Sequence, residues 1–157
     1  MNQEKYNDPT ADIAVARVTK EEKYKLPKDE YLRAVRYALQ YKEWVKELNT
    51  PPDSSKAIAY DGDHVQTSGS FDPVVDLAEH RYELAKKKKL LEDTIMETAP
   101  EIYKYMLFGV AYGFTFWQLK EKGLRYEKDA YYLRRRKFYY YYSKKLNYID
   151  DNRKILK

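Results

Sequence analysis

The fold is decided by the stretch from residue 112 to residue 146, which reads YGFTFWQLKEKGLRYEKDAYYLRRRKFYYYYSKKL. Thr115 is a residue type that caps helix N-termini and Gly123 is one that ends helices, so a short helix is predicted between them. A longer helix follows, beginning near Lys128 and extending to Leu146 or beyond. A short helix, a turn with glycine and a longer basic helix are the layout of a helix-turn-helix, which the sequence places at about residues 101–146.

The two helices of such a motif bury one side each, and the second helix projects cations from its other side. The crossing is predicted to use Phe116, Leu119 and Leu124. The buried side of the long helix is predicted to use Tyr131 or Tyr132, Phe138 and Tyr142. The best outward candidates are then Lys128, Arg134, Arg135 and Lys137. The N-terminal part of the helix would reach base edges, and later basic residues would hold phosphates.

The positive charge of the chain is concentrated in this motif. Residues 124–146 hold eight basic side chains against two acids, a net charge of +6, whereas the other 134 of the 157 residues sum to −1. Such a local excess is the electrostatic footprint that a polyanion recognises. A solvated basic helix without a ligand is the alternative that composition alone leaves open.

The motif also resembles a known family. The strings at 112–120, 122–124 and 129–140 are similar to the C-terminal part of phage proteins grouped with late-gene transcriptional regulators of the ArpU and RinA kind. The tightest part is Tyr-Tyr-x-Arg-Arg-Arg-x-Phe at 131–138. The family carries a helix-turn-helix similar to sigma-factor region four. This chain departs from the pattern in the turn, with Arg125 where the family tends to have proline and Glu127 where it tends to have glycine.

The resemblance implies a sequence-specific, duplex DNA-binding transcriptional regulator of phage or prophage origin, acting in the cytoplasm of the bacterial host. We expect Arg134 and Arg135 to be the first contacts, and Lys128 and Arg125 the next. Arg136, Lys137 and Lys144 are expected to hold phosphates. RNA polymerase is a further candidate partner, and a homo-oligomer is a candidate assembly.

Upstream of the motif the sequence predicts helices and loops, so the fold class is all-α. Residues 1–27 are predicted to be a flexible segment, 28–48 a helical arm, and 49–72 an acidic linker with a net charge of −3. The linker separates the arm from a helical unit at 73–157. That unit opens with a helix over 73–98, whose predicted apolar stripe consists of Val74, Leu77, Ala78, Leu84, Ala85, Leu91 and Ile95. Its four consecutive lysines, at 86–89, point in different directions and predict a solvated surface.

Most catalytic classes are disfavoured by composition. The chain has no cysteine, two histidines and five glycines, and no Gly-rich phosphate-binding motif occurs. The string Asp61-Gly62-Asp63-His64 lacks the ligand count of a calcium loop. Neither an enzyme, a cofactor nor a metal site is predicted, and no apolar run is long enough to span a membrane.

Two other functions remain open. A DNA-packaging adaptor, similar to a terminase small subunit, would use the same motif but assemble into a ring. A helical protein-interaction module would bind RNA polymerase or another protein through its tyrosine-rich face. Four consecutive tyrosines at 139–142 span all faces of a helix, so they do not predict a stacking platform for single strands.

Overall fold

The computed structural model describes residues 22–52 and 72–155, and within these ranges every regular element is a helix, as predicted for an all-α protein. The chain runs through a 3₁₀ turn at Glu22–Tyr24, α1 (Lys28–Leu39), α2 (Tyr41–Asn49), α3 (Pro73–Thr98), a 3₁₀ turn at Pro100–Ile102, α4 (Tyr103–Ala111), α5 (Phe116–Glu121) and α6 (Lys128–Ile155).

The helix ends fall where capping residues predict them. The Asp72 carboxylate accepts a hydrogen bond from the Val74 N–H at 2.9 Å, and Pro73 occupies the first position of α3. At α5, the Thr115 hydroxyl accepts from the Gln118 N–H while the Gln118 side chain accepts from the Thr115 N–H, which completes a capping box. Gly113 and Gly123 have φ values of 72° and 104°, a conformation that glycine adopts without strain.

The helix predicted over 28–48 is interrupted at Gln40. The Gln40 N–H donates to the Tyr37 carbonyl three residues back, at 3.1 Å, which is the tighter 3₁₀ spacing. The Gln40 carbonyl then accepts from Glu43 and Trp44 as α2 begins. The interruption lets α1 pack along α6 while α2 packs along α3.

The helices of the predicted arm meet the predicted helical unit, since α1 and α2 lie in the same hydrophobic core as the later helices. They contribute Tyr31, Ala34, Val35, Ala38, Tyr41 and Trp44. The Tyr41 hydroxyl donates to the Glu92 carboxylate of α3 at 2.6 Å, and burial together with this bond raises the pKa of Tyr41. Arg81 of α3 donates to three carbonyls at the end of α2, those of Glu47, Leu48 and Thr50.

The buried side of α6 is the one that the sequence predicts. Tyr131, Tyr132, Phe138 and Tyr142 are all buried, and so are the crossing residues Phe116, Leu119 and Leu124. Rings from α1 meet this surface, since Tyr31 packs edge-on against Tyr139 with 5.1 Å between centroids. The long helix is therefore the central element of the core.

The predicted stripe of α3 is only partly correct. Leu84, Leu91 and Ile95 are buried, whereas Val74, Leu77, Ala78 and Ala85 are exposed. Every residue from 72 to 80 is exposed, because the first two turns of α3 extend beyond the helices that cover the rest of it. In the lysine run, Lys86, Lys88 and Lys89 pair with Glu83, Glu92 and Asp93 along the helix, which is the predicted solvated surface.

Several sequence predictions concern other parts of the chain. Residues 1–21, residues 53–71 of the linker and the Asp61, Asp63 and His64 string lie outside the described residues. None of the helices that the structure does describe has the length and apolar character needed to cross a membrane. Within the same two ranges, no three histidine or acidic side chains come together as metal ligands would.

Candidate nucleic-acid interface

The short helix α5 presents one apolar side to the core and one polar side to solvent. Phe116 and Leu119 are buried, so the helical period directs Trp117 and Lys120 outward. Half of the Trp117 surface is exposed (50%). The ring of Phe116 packs edge-on against the ring of Trp117, with 5.4 Å between the two ring centroids.

Three cations, Lys120, Arg125 and Lys128, lie on α5, on the turn that follows it and at the start of α6. The Lys128 ammonium lies 5.8 Å from the Trp117 ring, and the Lys120 ammonium lies 5.8 Å from the Phe116 ring. Lys120 also donates to the Tyr126 carbonyl at 3.4 Å. Arg125 and Lys120 line a shallow depression together with Tyr126. Contacts of this kind hold ammonium groups over aromatic faces while leaving them open to solvent.

Two more lysines lie beside the same turn. The ammonium groups of Lys104 and Lys122 are 5.9 and 5.8 Å from the Phe108 ring, and Lys122 is 5.1 Å from the Phe114 ring. The basic turn surface is defined here as Lys104, Trp117, Lys120, Lys122, Arg125 and Lys128.

The cations of the basic turn surface are not neutralised by ion pairs. Among residues 22–52 and 72–155, no carboxylate lies within 4.0 Å of any of these five side-chain charges. Glu121, Glu127 and Asp129 are exposed in the same part of the chain. The surface thus combines open cations with three exposed carboxylates, one at the end of α5, one in the turn and one at the start of α6.

The arginine triplet does not form the exposed cationic face that the sequence predicts. Arg135 is 3% exposed, and its guanidinium lies 5.7 Å from the Tyr139 ring inside the core. A side chain buried in this way cannot reach a base edge, so its assignment as a first contact is corrected. Arg136 is half-buried.

Arg134 is engaged within the protein by two acceptors. Its guanidinium pairs with the Glu101 carboxylate at 2.9 Å and donates to the Thr98 carbonyl at 3.3 Å. Glu101 also accepts a hydrogen bond from the Tyr126 hydroxyl at 3.0 Å. The Glu101 backbone N–H, then Tyr126, Arg134 and nearby Lys137, lower the pKa of this carboxyl. Arg134 is therefore linked through Glu101 to Tyr126 in the turn between α5 and α6.

The predicted site residues are only partly brought together. Arg125 and Lys128 share the basic turn surface, whereas Arg134, Arg136 and Lys137 lie along the packed part of α6. Lys144 stands over the Tyr140 ring, about 24 Å along the helix from Lys128.

The sequence reasoning missed Lys104, Trp117, Lys120 and Lys122. Positions 117 and 120 could have been found, because each lies one residue beyond a predicted core residue of α5.

No family model, curated protein or solved structure matches this chain.

Proposed function

We propose that this chain binds duplex DNA through the basic turn surface, as a sequence-specific transcriptional regulator of phage or prophage origin. The observation that carries the proposal is the set of five exposed cations on and beside the turn between α5 and α6, with no ion pair to any described residue and with Lys128 beside the exposed Trp117. Cations left open in this way can release the counterions of DNA on binding, which supplies most of the affinity for a duplex. The bacterial cytoplasm is the compartment that such a function requires.

The geometry favours different roles for different side chains of the basic turn surface: some would contact bases and others phosphates. Lys128, Asp129 and Ala130 are exposed in the first turn of α6, at the end of the helix that a helix-turn-helix directs into the major groove. The major groove is about 12 Å wide and accepts a helix. Arg125 and Lys128 are the candidates for guanine, and Asp129 is a candidate acceptor for the amino group of cytosine. Lys120 and Lys122 flank this end and would hold phosphates.

The first test is the salt dependence of binding to duplexes from the chain's own genomic neighbourhood. Three phosphates neutralised by Lys104, Lys120 and Lys122 predict that log K falls with log[salt] at a slope of about −2.7. The double variant Lys120→Gln/Lys122→Gln should weaken binding to every sequence and make the slope shallower by about two units. Fluorescence anisotropy with a labelled duplex measures both quantities.

The matched control removes the same charge elsewhere. Lys42→Gln/Lys46→Gln changes two exposed cations of α2 and should leave the slope within about half a unit of the original value. A slope near zero, or equal weakening by the two double variants, would contradict the proposal. Light scattering with DNA present identifies a ring-forming packaging adaptor, and a pure protein-interaction module would bind no duplex at any salt concentration.

A further inference from the structure

The second half of α6 carries aromatic and basic side chains on its outer side. Tyr139 and Tyr142 are buried, and their neighbours on the opposite side of the helix reach the surface. At about 100° per residue these neighbours lie within an arc of about 100° that faces away from the core. They are Tyr140, Tyr141, Lys144 and Tyr148. Tyr148 is 70% exposed and Tyr141 is 39% exposed.

The 3₁₀ turn at Glu22–Tyr24 adds another ring and another cation to this side of α6. The Tyr24 ring lies 5.8 Å from the Tyr140 ring and 6.2 Å from the Tyr141 ring. The Lys23 ammonium lies 5.5 Å from the Tyr24 ring, and the Lys144 ammonium lies 5.3 Å from the Tyr140 ring. The tyrosine–lysine surface is defined here as Lys23, Tyr24, Tyr140, Tyr141, Lys144 and Tyr148.

The charge of the tyrosine–lysine surface is positive and is not neutralised by ion pairs. In the two described ranges, no carboxylate lies within 4.0 Å of the Lys23 or Lys144 ammonium. Residues 130–149 contain no acid, and residues 23–28 contain three lysines and no acid. The acids that follow in α6 are engaged elsewhere, since Asp150 pairs with Arg33 and Asp151 with Lys154. The surface therefore attracts a polyanion.

The combination of rings and cations favours a single strand over a duplex. The bases of a duplex are stacked in its interior, so a duplex would use the cations of this surface and leave the rings without a partner. Surfaces that bind single strands combine cations along the backbone with aromatic rings on which the bases stack. Four tyrosine rings beside two open cations have this composition.

We propose that the tyrosine–lysine surface binds single-stranded DNA. Bases stack on the exposed rings of Tyr141 and Tyr148, and the ammonium groups of Lys23 and Lys144 hold phosphates. The ring contacts of Tyr24 with its neighbours keep the aromatic groups in place before the strand binds. The choice of DNA over RNA rests on the proposed function, because the same helix begins in the basic turn surface.

The length of the surface sets the size of the site. Tyr140 and Tyr148 are about 12 Å apart along α6, at about 1.5 Å per residue. Stacked bases are about 3.4 Å apart along one strand, so the surface covers about four nucleotides. That length is at the lower end of the site sizes of single-strand binding domains. The two neutralised phosphates predict that log K falls with log[salt] at a slope of about −1.4.

Fluorescence anisotropy of the full chain with a labelled oligothymidine of about twelve nucleotides tests the stacking. Tyr148→Ala should weaken binding roughly fivefold or more, because a stacked base loses its ring. Tyr148→Phe keeps the ring and should recover the binding, because stacking does not need the hydroxyl. An oligothymidine that does not bind the parent chain, or equal losses in Tyr148→Ala and Tyr148→Phe, would overturn the proposal.

The matched control is an exposed tyrosine beside a lysine on another helix. Tyr82 of α3 is 63% exposed, and the Lys86 ammonium lies 4.9 Å from its ring. Tyr82→Ala should therefore leave oligothymidine binding unchanged, and both alanine variants should keep the circular dichroism of the parent chain. Equal weakening by Tyr82→Ala and Tyr148→Ala would show nonspecific association and contradict the assignment.

A second measurement separates this surface from the basic turn surface. The double variant Lys120→Gln/Lys122→Gln should bind the oligothymidine as tightly as the parent chain does, whether or not the parent binds a duplex. Lys144→Gln should make the salt slope for the oligothymidine shallower by about 0.7. Loss of oligothymidine binding in the double variant would instead place the strand on the basic turn surface.

Two competitors test the chemical class of the ligand. Poly-L-glutamate carries negative charge without bases, so it should displace the oligothymidine only weakly at equal charge concentration. Displacement as effective as that by unlabelled oligothymidine would indicate an acidic protein segment as the ligand and overturn the proposal. An oligouridine of the same length that binds more tightly than the oligothymidine would overturn the assignment to DNA.

Discussion

Gly109 lies in α4 at the point where α6 crosses it. A Cβ built at this position would collide with the Tyr131 hydroxyl and come within 3.6 Å of Leu119. Glycine is unfavourable inside a helix by about 1 kcal/mol relative to alanine, so its use here reflects the close approach of the two helices. Tyr131 is fully buried, which leaves its ring no room to move aside.

We therefore expect Gly109→Ala to destabilise the protein by about 1–3 kcal/mol despite its better helix propensity. Removing the colliding atom should relieve the strain, since the Cβ would then meet only ordinary van der Waals contacts, the ring carbon at 3.5 Å and Leu119 at 3.6 Å. The double variant Gly109→Ala/Tyr131→Phe should thus be more stable than the sum of the two single changes predicts. Urea unfolding of the four proteins measures the coupling free energy. A coupling of zero would show that the helices are not in close contact here.

Arg135 shows how far a sequence predicts the orientation of individual side chains. It lies four residues after Tyr131 and three before Phe138, so it falls on the apolar stripe of α6, and that spacing was a signal for burial. The pairing of Arg134 with Glu101 depends on how α6 crosses the segment after α3, which no local pattern contains.

At the scale of single elements, α5 depends on its cap. A helix of six residues is too short to be stable alone, so its N-terminal hydrogen bonds and its packing must hold it. Thr115→Ala should cost about 1 kcal/mol of unfolding free energy, because it removes the acceptor for the Gln118 N–H. Thr115→Ser keeps that acceptor and should retain most of the stability.

The same substitution links the cap to the proposed site. Because α5 positions Trp117 and Lys120, Thr115→Ala should also increase the exchange rate of amide hydrogens in residues 116–121. Hydrogen exchange with mass spectrometry checks this. Unchanged protection in Thr115→Ala would show that packing of Phe116 and Leu119 alone is sufficient for α5.

Helix ends were predictable because their causes are local. Thr115 and Gly123 each act through neighbours within a few residues, and the structure places helix ends beside both of them. Helix faces were less predictable, since exposure depends on what packs against a helix. The apolar residues at the start of α3 have the right period for a core, but no described element covers them.

At the scale of the whole molecule, α1 and α2 complete the core. The ring of Tyr37 lies 6.2 Å from that of Tyr142, and Tyr41 lies 6.1 Å from Tyr112, so both helices bury aromatic surface of the C-terminal part. Burial of one large apolar side chain contributes about 1.5–3 kcal/mol, and the total stability of a domain is about 5–15 kcal/mol. The free energy lost with several such contacts at once exceeds the stabilisation that the remaining helices can supply.

A chain that begins at Ser70 should therefore lose cooperative unfolding and its near-ultraviolet circular dichroism, although part of its helical signal remains. A peptide of residues 22–52, added in trans, should restore both. Thermal denaturation followed by circular dichroism provides the measurement. Cooperative unfolding of the shortened chain with an undiminished midpoint would instead support the modular organisation that the linker predicts.

The two tryptophans of the chain have opposite surroundings. Trp44 is buried against Tyr37 and Tyr41, whereas Trp117 stands in solvent beside the Lys128 ammonium. Their indole emission consequently comes from two distinct populations, one shielded from a soluble quencher and one open to it. The fluorescence of Trp44 is therefore a natural reporter of folding, and that of Trp117 is a second reporter, for a ligand that binds the basic turn surface.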